Sequence, residues 1–210
     1  MTSMKSCIGT REAASLGRDG EPAMVAVAGI SLAAALRDYI TLLWPIMTLS
    51  MPDDAFASLQ TMARQLSPDD DGDMARLTRG ATVTHREWIL ANERRAGCRA
   101  RWAEFFRSHD VLLCPALTVP AFPHDHREPL IERTLQVNGG ARPYADVVVW
   151  NGAIGNFAYL PATVAPAGRT VTGLPVGVQI VGPHLEDRTP IDVARHLEEL
   201  IGGFEPPPGY

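Results

Sequence analysis

Apolar spacing divides the chain into a helical first half and a strand-bearing second half. From Ala23 to about Leu43 an apolar run, carried on through Leu36, Ile40 and Leu43, predicts a buried helix. Trp44-Pro45 is expected to end it, because proline disfavours helical geometry in the residue before it. Pro52 followed by Asp53 and Asp54 predicts the next helix start, with acids at the positive end of the dipole. That helix carries Phe56, Leu59, Met62, Ala63 and Leu66 on one face and stops before Ser67-Pro68. The strongest helical pattern runs from Thr84 to Phe106. Thr84 and Glu87 form a T-x-x-E capping box, and Trp88, Ala91, Arg95, Cys98, Trp102, Phe105 and Phe106 follow at three- and four-residue steps.

The second half changes period. VLLCP (Val111 to Pro115) reads as a buried strand, and so does the centre of GLPVGVQIVGP (Gly173 to Pro183). Proline and glycine recur between them, and Pro190 then opens a last helix, PIDVARHLEELIG, with Thr189 as its expected cap and Gly202-Gly203 as its stop. Residues 1–22 show no apolar period and form an irregular lead-in to residues 23–210. Strands mixed with helices over one core predict an α/β fold, a partial mixed sheet flanked by helices. Only two or three strands are convincing, and strands buried on both faces need neighbours on both sides. The sequence reads as part of a sheet and not as a complete domain.

Composition narrows the function. The chain is 46% hydrophobic and 20% charged, ordinary for a globular protein, and its net charge is −5. Lys5 is the only lysine, and no basic block offers a phosphate footprint, so no nucleic-acid partner is expected. No run approaches the roughly 18 apolar residues of a membrane span. Cys7, Cys98 and Cys114 are odd in number and contain no CxxC pair, which predicts a reducing, cytoplasmic setting. The apolar stretch Ala23 to Leu36 resembles a leader peptide, but Glu12, Asp19 and Glu21 cancel the positive charge a leader needs ahead of it.

Chemical candidates are few. Testing SPDDDGD as a calcium loop puts Thr78 at position 12, where a glutamate is required, so a solvated turn is the better reading. In FPHDH, His124 and His126 flank Asp125; two histidines could ligate a metal with a third ligand from afar, or simply border a pocket. None of the eight serines sits in a G-x-S-x-G turn, and Ser108-His109-Asp110 reads as a helix terminus, since triad members meet by folding and not by adjacency. Neither G-x-x-x-x-G-K-[ST] nor G-x-G-x-x-G occurs, so no nucleotide cofactor, and no cofactor of any kind, is expected.

LPATVAPAG, then GLPVGVQIVGP, then EDRT leading into an Ala- and Leu-bearing helix form an ordered series. Together with HREWILANERR and RWAEFFRSHDVLLCPALTVPAFPHD upstream, it resembles the C-terminal portion of the amidase signature family, over about Asp38 to Tyr210. The resemblance implies the amidase signature fold and hydrolysis of carboxylic amides by a serine nucleophile, a second serine and a lysine base. The glycine- and serine-rich segment that carries this unit in the family lies N-terminal of the portion matched, and no such segment occurs here. The resemblance therefore implies no catalytic residue in this chain, and whether the chain is itself an enzyme stays open. It implies a pocket wall at Phe122, His124, Asp125, Trp150 and Asn156, and a small-molecule amide partner only once the N-terminal part is supplied. The competing reading is a truncated, non-catalytic paralogue that acts as a binding or assembly module and covers its strand edges by self-association.

Overall fold

The computed structural model describes residues 29–70, 72–128 and 132–206, with Gly209. The lead-in expected over residues 1–22 lies outside the described residues. Helix α1 spans Leu32–Met47 and differs at both ends from the sequence expectation. It starts after Ser31, whose hydroxyl accepts the Ala34 N–H at 3.3 Å. It also passes through Pro45. There the missing N–H costs a single helical bond near the C-terminus, where little helix remains to disrupt. The Thr48 N–H and hydroxyl both turn back onto the Trp44 carbonyl, each at 3.1 Å, and close the end.

Helix α2 (Asp53–Gln65) forms as expected, but none of its residues is buried, so its apolar stripe finds only partial cover. Helix α3 (Asp73–Ala81) goes beyond the elements the sequence pattern predicts. The run before it forms the expected turn, with Asp70 Oδ1 accepting the Gly72 N–H at 3.0 Å. Helix α4 (His85–Phe105) has both halves of its capping box in place. Its stripe reaches the centre of the molecule, where Ala91 and Trp102 are 0% exposed. Two polar contacts tie it to α1: the Arg94 guanidinium forks onto the Asp38 carboxylate at 2.6–3.0 Å, and Trp88 Nε1 donates to the Leu42 carbonyl at 3.4 Å.

The second half contributes β1 (Leu112–Pro115), a hairpin of β2 (Thr134–Val137) and β3 (Gly140–Pro143), helix α5 (Tyr144–Val149), a 3-10 turn over Trp150–Ala153 and the short helix α6 (Gly155–Ala158). Strands β4 (Ala162–Arg169) and β5 (Pro175–Val181) follow, and then helix α7 (Arg188–Ile201). The hairpin turn Asn138-Gly139 has φ of 52° and 83°. Asn-Gly is the strongest local signal for such a turn, although the short strands around it carry little apolar alternation. At α7 the cap differs from expectation. Thr189 lies inside the helix, with its hydroxyl donating to Glu186 at 3.3 Å, and Asp187 occupies the cap position.

The main sheet has the order β1-β5-β4, with both pairings antiparallel. The strand of GLPVGVQIVGP thus has a neighbour on each side within this chain, although the sequence offers only two or three convincing strands. Leu112 and Ala162 both lie opposite Val181. Residue alternation then gives the sheet two apolar faces. Leu112, Cys114 and Val181 join α1, α4 and α6 in one core, while Val111, Ile180 and Ala165 pack with Val193 of α7 in the other. Gly182 is what lets α7 approach: a Cβ there would stand 2.7 Å from Pro190 Cδ.

Candidate functional site

The candidate residues fall on two segments, the loop that leaves β1 (116–128) and the helical turns from α5 to α6. A hydrogen bond joins the segments: Asn151 Nδ2 donates to the Ala116 carbonyl at 3.4 Å. An aromatic contact joins the loop to α5, Phe122 meeting Tyr144 edge to face at 6.1 Å between centroids. Phe122 and Trp150 are half-buried, and Trp150 packs against the main core. Its Nε1–H is buried with no hydrogen-bond partner among the described residues.

Asp125 is committed to the loop. Its carboxylate accepts the Arg127 backbone N–H at 3.0 Å and takes the guanidinium in a fork with N–O distances of 2.6 and 3.0 Å. These bonds hold its carboxyl down at about 2, since they favour the charged form. Arg133 extends the clamp, donating to the Arg127 carbonyl at 2.6 Å and to Glu128 at 2.8 Å. The group is a brace that fixes the course of the loop carrying Phe122.

His124 and His126 are exposed, with rings stacked 5.7 Å apart. No group of three or more His, Cys, Asp or Glu suited to a metal occurs among the described residues. Asn156 is exposed; the amide that bridges the two segments belongs to Asn151 instead. Sequence reasoning misses Asn151, Tyr144 and Arg133 because nothing in their local pattern separates a bridging side chain from a solvated one. It also misses Gln179, although one amide among the valines and isoleucine of β5 is a visible anomaly. Gln179 is 5% exposed, and a Cβ on Gly155 would lie 3.9 Å from its Nε2.

Nucleophiles are poorly served. The Ser108 hydroxyl lies 3.0 Å from His109 Nδ1, but the same nitrogen is 3.1 Å from the Phe105 carbonyl and the hydroxyl itself reaches that carbonyl at 3.2 Å. A ring nitrogen that donates to a carbonyl cannot take a proton from serine, so the pair finishes α4, as the sequence suggested. Burial raises the Cys98 thiol to about 11 and the Cys114 thiol to about 12, leaving neither as a ready thiolate. Among the described residues no helix is long and apolar enough to cross a membrane.

Comparison with known proteins agrees with this architecture. The amidase family model matches residues 22–190. Over 108 residues the chain is 31% identical to a glutamyl-tRNA(Gln) amidotransferase subunit from Bdellovibrio bacteriovorus, covering 50% of this chain and 20% of that protein. Over 52 residues it is 44% identical to fatty-acid amide hydrolase 2-A of Danio rerio, covering 25% of this chain and 10% of that protein. Among solved structures, a crystal structure of an amidase superposes with a TM-score of 0.59 at 21% identity, over 81% of this chain and 36% of its own. The corresponding glutamyl-tRNA(Gln) amidotransferase subunit from Thermotoga maritima superposes with a TM-score of 0.53 at 20% identity, over 81% of this chain and 35% of its own. The matched region thus spans about a fifth of the first of these relatives and about a third of the solved structures. With the family model covering most of its length, the chain belongs to the amidase family.

Proposed function

We propose that these 210 residues supply the part of an amidase that completes its core and walls its acyl pocket, and that as an isolated polypeptide they turn over no amide. The observation that carries this is the chain's single lysine, Lys5, which lies outside both the matched region and the described residues. Amide hydrolysis through serine needs a hydroxyl, a base that removes its proton and donors for the oxyanion. The amidase resemblance assigns the base role to a lysine, and residues 22–190 contain none. In this reading the Ser-Ser-Lys unit lies on chain N-terminal to the portion present here. Phe122 and Trp150 form part of the acyl wall, with His124 and Asn156 at its rim. The Asp125 brace holds Phe122 in place, and the Trp150 N–H donates to an acceptor on the substrate or on the completing chain.

One feature of the sheet supports the same reading. β1 is buried on one face and half-buried on the other, yet among the described residues it has a strand, β5, on one side only. The buried, free thiols of Cys98 and Cys114 suit a reducing cytoplasm. The test is turnover of small carboxylic amides and esters by the purified 210-residue chain. Background rates are expected. Turnover abolished by Ser108→Ala or His109→Ala would overturn the proposal.

A second reading, a binding or assembly module, has one observation in its favour: Val164 and Val176, on opposite faces of the sheet, are 58% and 40% exposed. Pairing along the β4 edge is opposed by Pro166 and by the register shift between Pro166 and Gly168, both of which blunt an edge. Light scattering separates the readings. A discrete dimer would favour the module, and a monomer would favour the pocket wall.

A further inference from the structure

Helix α4 carries two arginines one turn apart, Arg95 and Arg99, that take no part in any ion pair among the described residues. Their neighbour Arg94 grips Asp38, and Arg107 at the helix end grips Glu104 at 2.9 Å. Arg95 and Arg99 are instead laid over one aromatic ring, their Cζ atoms 4.4 and 5.6 Å from the centroid of Tyr159. Tyr159 closes α6 in the left-handed region, with φ of 59°. The remaining partners are neutral too. Arg95 donates to the Asn92 side-chain oxygen, and Arg99 Nη2 lies 3.1 Å from His184 Nε2. A guanidinium only donates, so that imidazole nitrogen is an acceptor. Two half-buried positive charges are therefore held by a ring face, an amide and an imidazole, with like charge repelling like at helical i, i+4 spacing.

Arg99 and His184 open onto a groove of about 790 Å³ between α4 and the turn after β5. Ala96, Ala100 and Ala103 put only methyl groups on its α4 side, which leaves room beside the guanidinium. From these observations the geometry points to a small-oxyanion site, for a phosphate or a carboxylate, with the Arg99 fork as its main contact and Arg95 as supporting charge. A planar, permanently charged fork is the group best matched to such an anion. The groove is also lined by Arg107, which Glu104 holds, by His109 and by the acids Asp110 and Glu186, and the Glu186 carboxylate already accepts from the Thr189 hydroxyl. Glu186 opposes the ligand's charge and restricts the site to a small anion. The site lies at the end of the sheet where β1 enters, away from loop 116–128, and it does not depend on the amidase reading.

Calorimetric titration of the 210-residue chain with inorganic phosphate, and separately with acetate, at matched ionic strength tests it. One saturable site is expected for at least one of them; preference for phosphate identifies a tetrahedral ligand and preference for acetate a carboxylate. Arg99→Gln is expected to weaken binding about tenfold or more, and Arg99→Lys, which keeps charge without the fork, several-fold. Glu186→Gln is expected to tighten it, and Arg195→Gln, an exposed arginine on α7 outside the groove, to leave it unchanged, with circular dichroism confirming that each variant is folded. Absence of saturable binding of either anion, or equal weakening by Arg195→Gln and Arg99→Gln, would overturn the assignment.

Discussion

Strand β5 is built from similar residues along its length, chiefly valine with proline and glycine, yet its two ends differ completely. At the end next to α7, Ile180 and Val181 are 0% exposed and Ala165 is 7% exposed. At the other end Val176 is 40% exposed, and Val171 in the connecting turn stands clear of the protein. The difference is set by what lies across and beside the strands. β1 ends at Pro115, opposite Val178, so the first residues of β5 have β4 as their only neighbour. The chain leaves there as loop 116–128, and neither core extends that far. Burial in this molecule follows from tertiary cover, and the hydrophobicity of a strand by itself does not secure it.

Paired truncations test this contrast most strongly. Ile180→Ala removes a side chain sealed between the sheet and α7 and is expected to cost about 2–5 kcal/mol in urea unfolding. Val176→Ala at the bare end is expected to stay within about 0.5 kcal/mol. Similar losses at both positions would mean that the outer end is covered in solution, which would favour self-association.

Glycines give a second, smaller version of the same comparison. Gly182→Ala drives a methyl group to 2.7 Å from Pro190 Cδ inside the packed end, and about 1–3 kcal/mol of overpacking is expected. Gly177→Ala brings its methyl to 2.9 Å from Val164 Cγ1, but Val164 is exposed and free to move outward. Its cost should be below about 1 kcal/mol. Thermal melts of the two variants suffice, and the reverse order would refute the contrast.

The same division explains what could be read from the sequence. Helix α4 was legible from Thr84 to Phe106 because its box and its Trp88–Trp102 stripe are local, and tertiary packing uses that very stripe. β1 and β5 were legible as continuous apolar runs. Their pairing was not, because antiparallel register between residues 112 and 181 leaves no local mark. The stop expected at Pro45 failed because one proline in a last turn costs too little to outweigh the packing of α1 on α4. In the candidate site, Phe122 and Trp150 are half-buried aromatics, while Asp125 binds its own loop. A carboxylate two residues from an arginine looks the same in sequence whether it serves a pocket or a turn.

The cap of α4 offers a smaller effect within the buried body. Thr84→Ala removes the hydroxyl that accepts the Glu87 N–H at 3.2 Å and should cost about 1 kcal/mol by chemical unfolding. An unchanged stability would mean that the first turn of α4 frays in solution.

The smallest effect on global stability is expected at the opposite extreme, in the loop that leaves the bare end. Asp125 titrates at about 2 because the Arg127 side chain and backbone N–H bond to its charged form, the side chain giving the larger effect. A lowered carboxyl contributes to order above its unfolded value, near 4, and that contribution is lost as pH falls through about 2. The carboxyl carbon followed by NMR should show a midpoint near 2, returning toward about 4 in Arg127→Ala. Because the pair sits at the surface, the unfolding midpoint at neutral pH should hardly move, while proteolysis within 116–128 should quicken. If Asp125 titrates in the ordinary range in the unmodified chain, the brace is not formed in solution and Phe122 is not fixed by it. If instead the variant loses global stability comparable to Ile180→Ala, the loop belongs to the buried end, and the boundary between the two regions must be redrawn to include it.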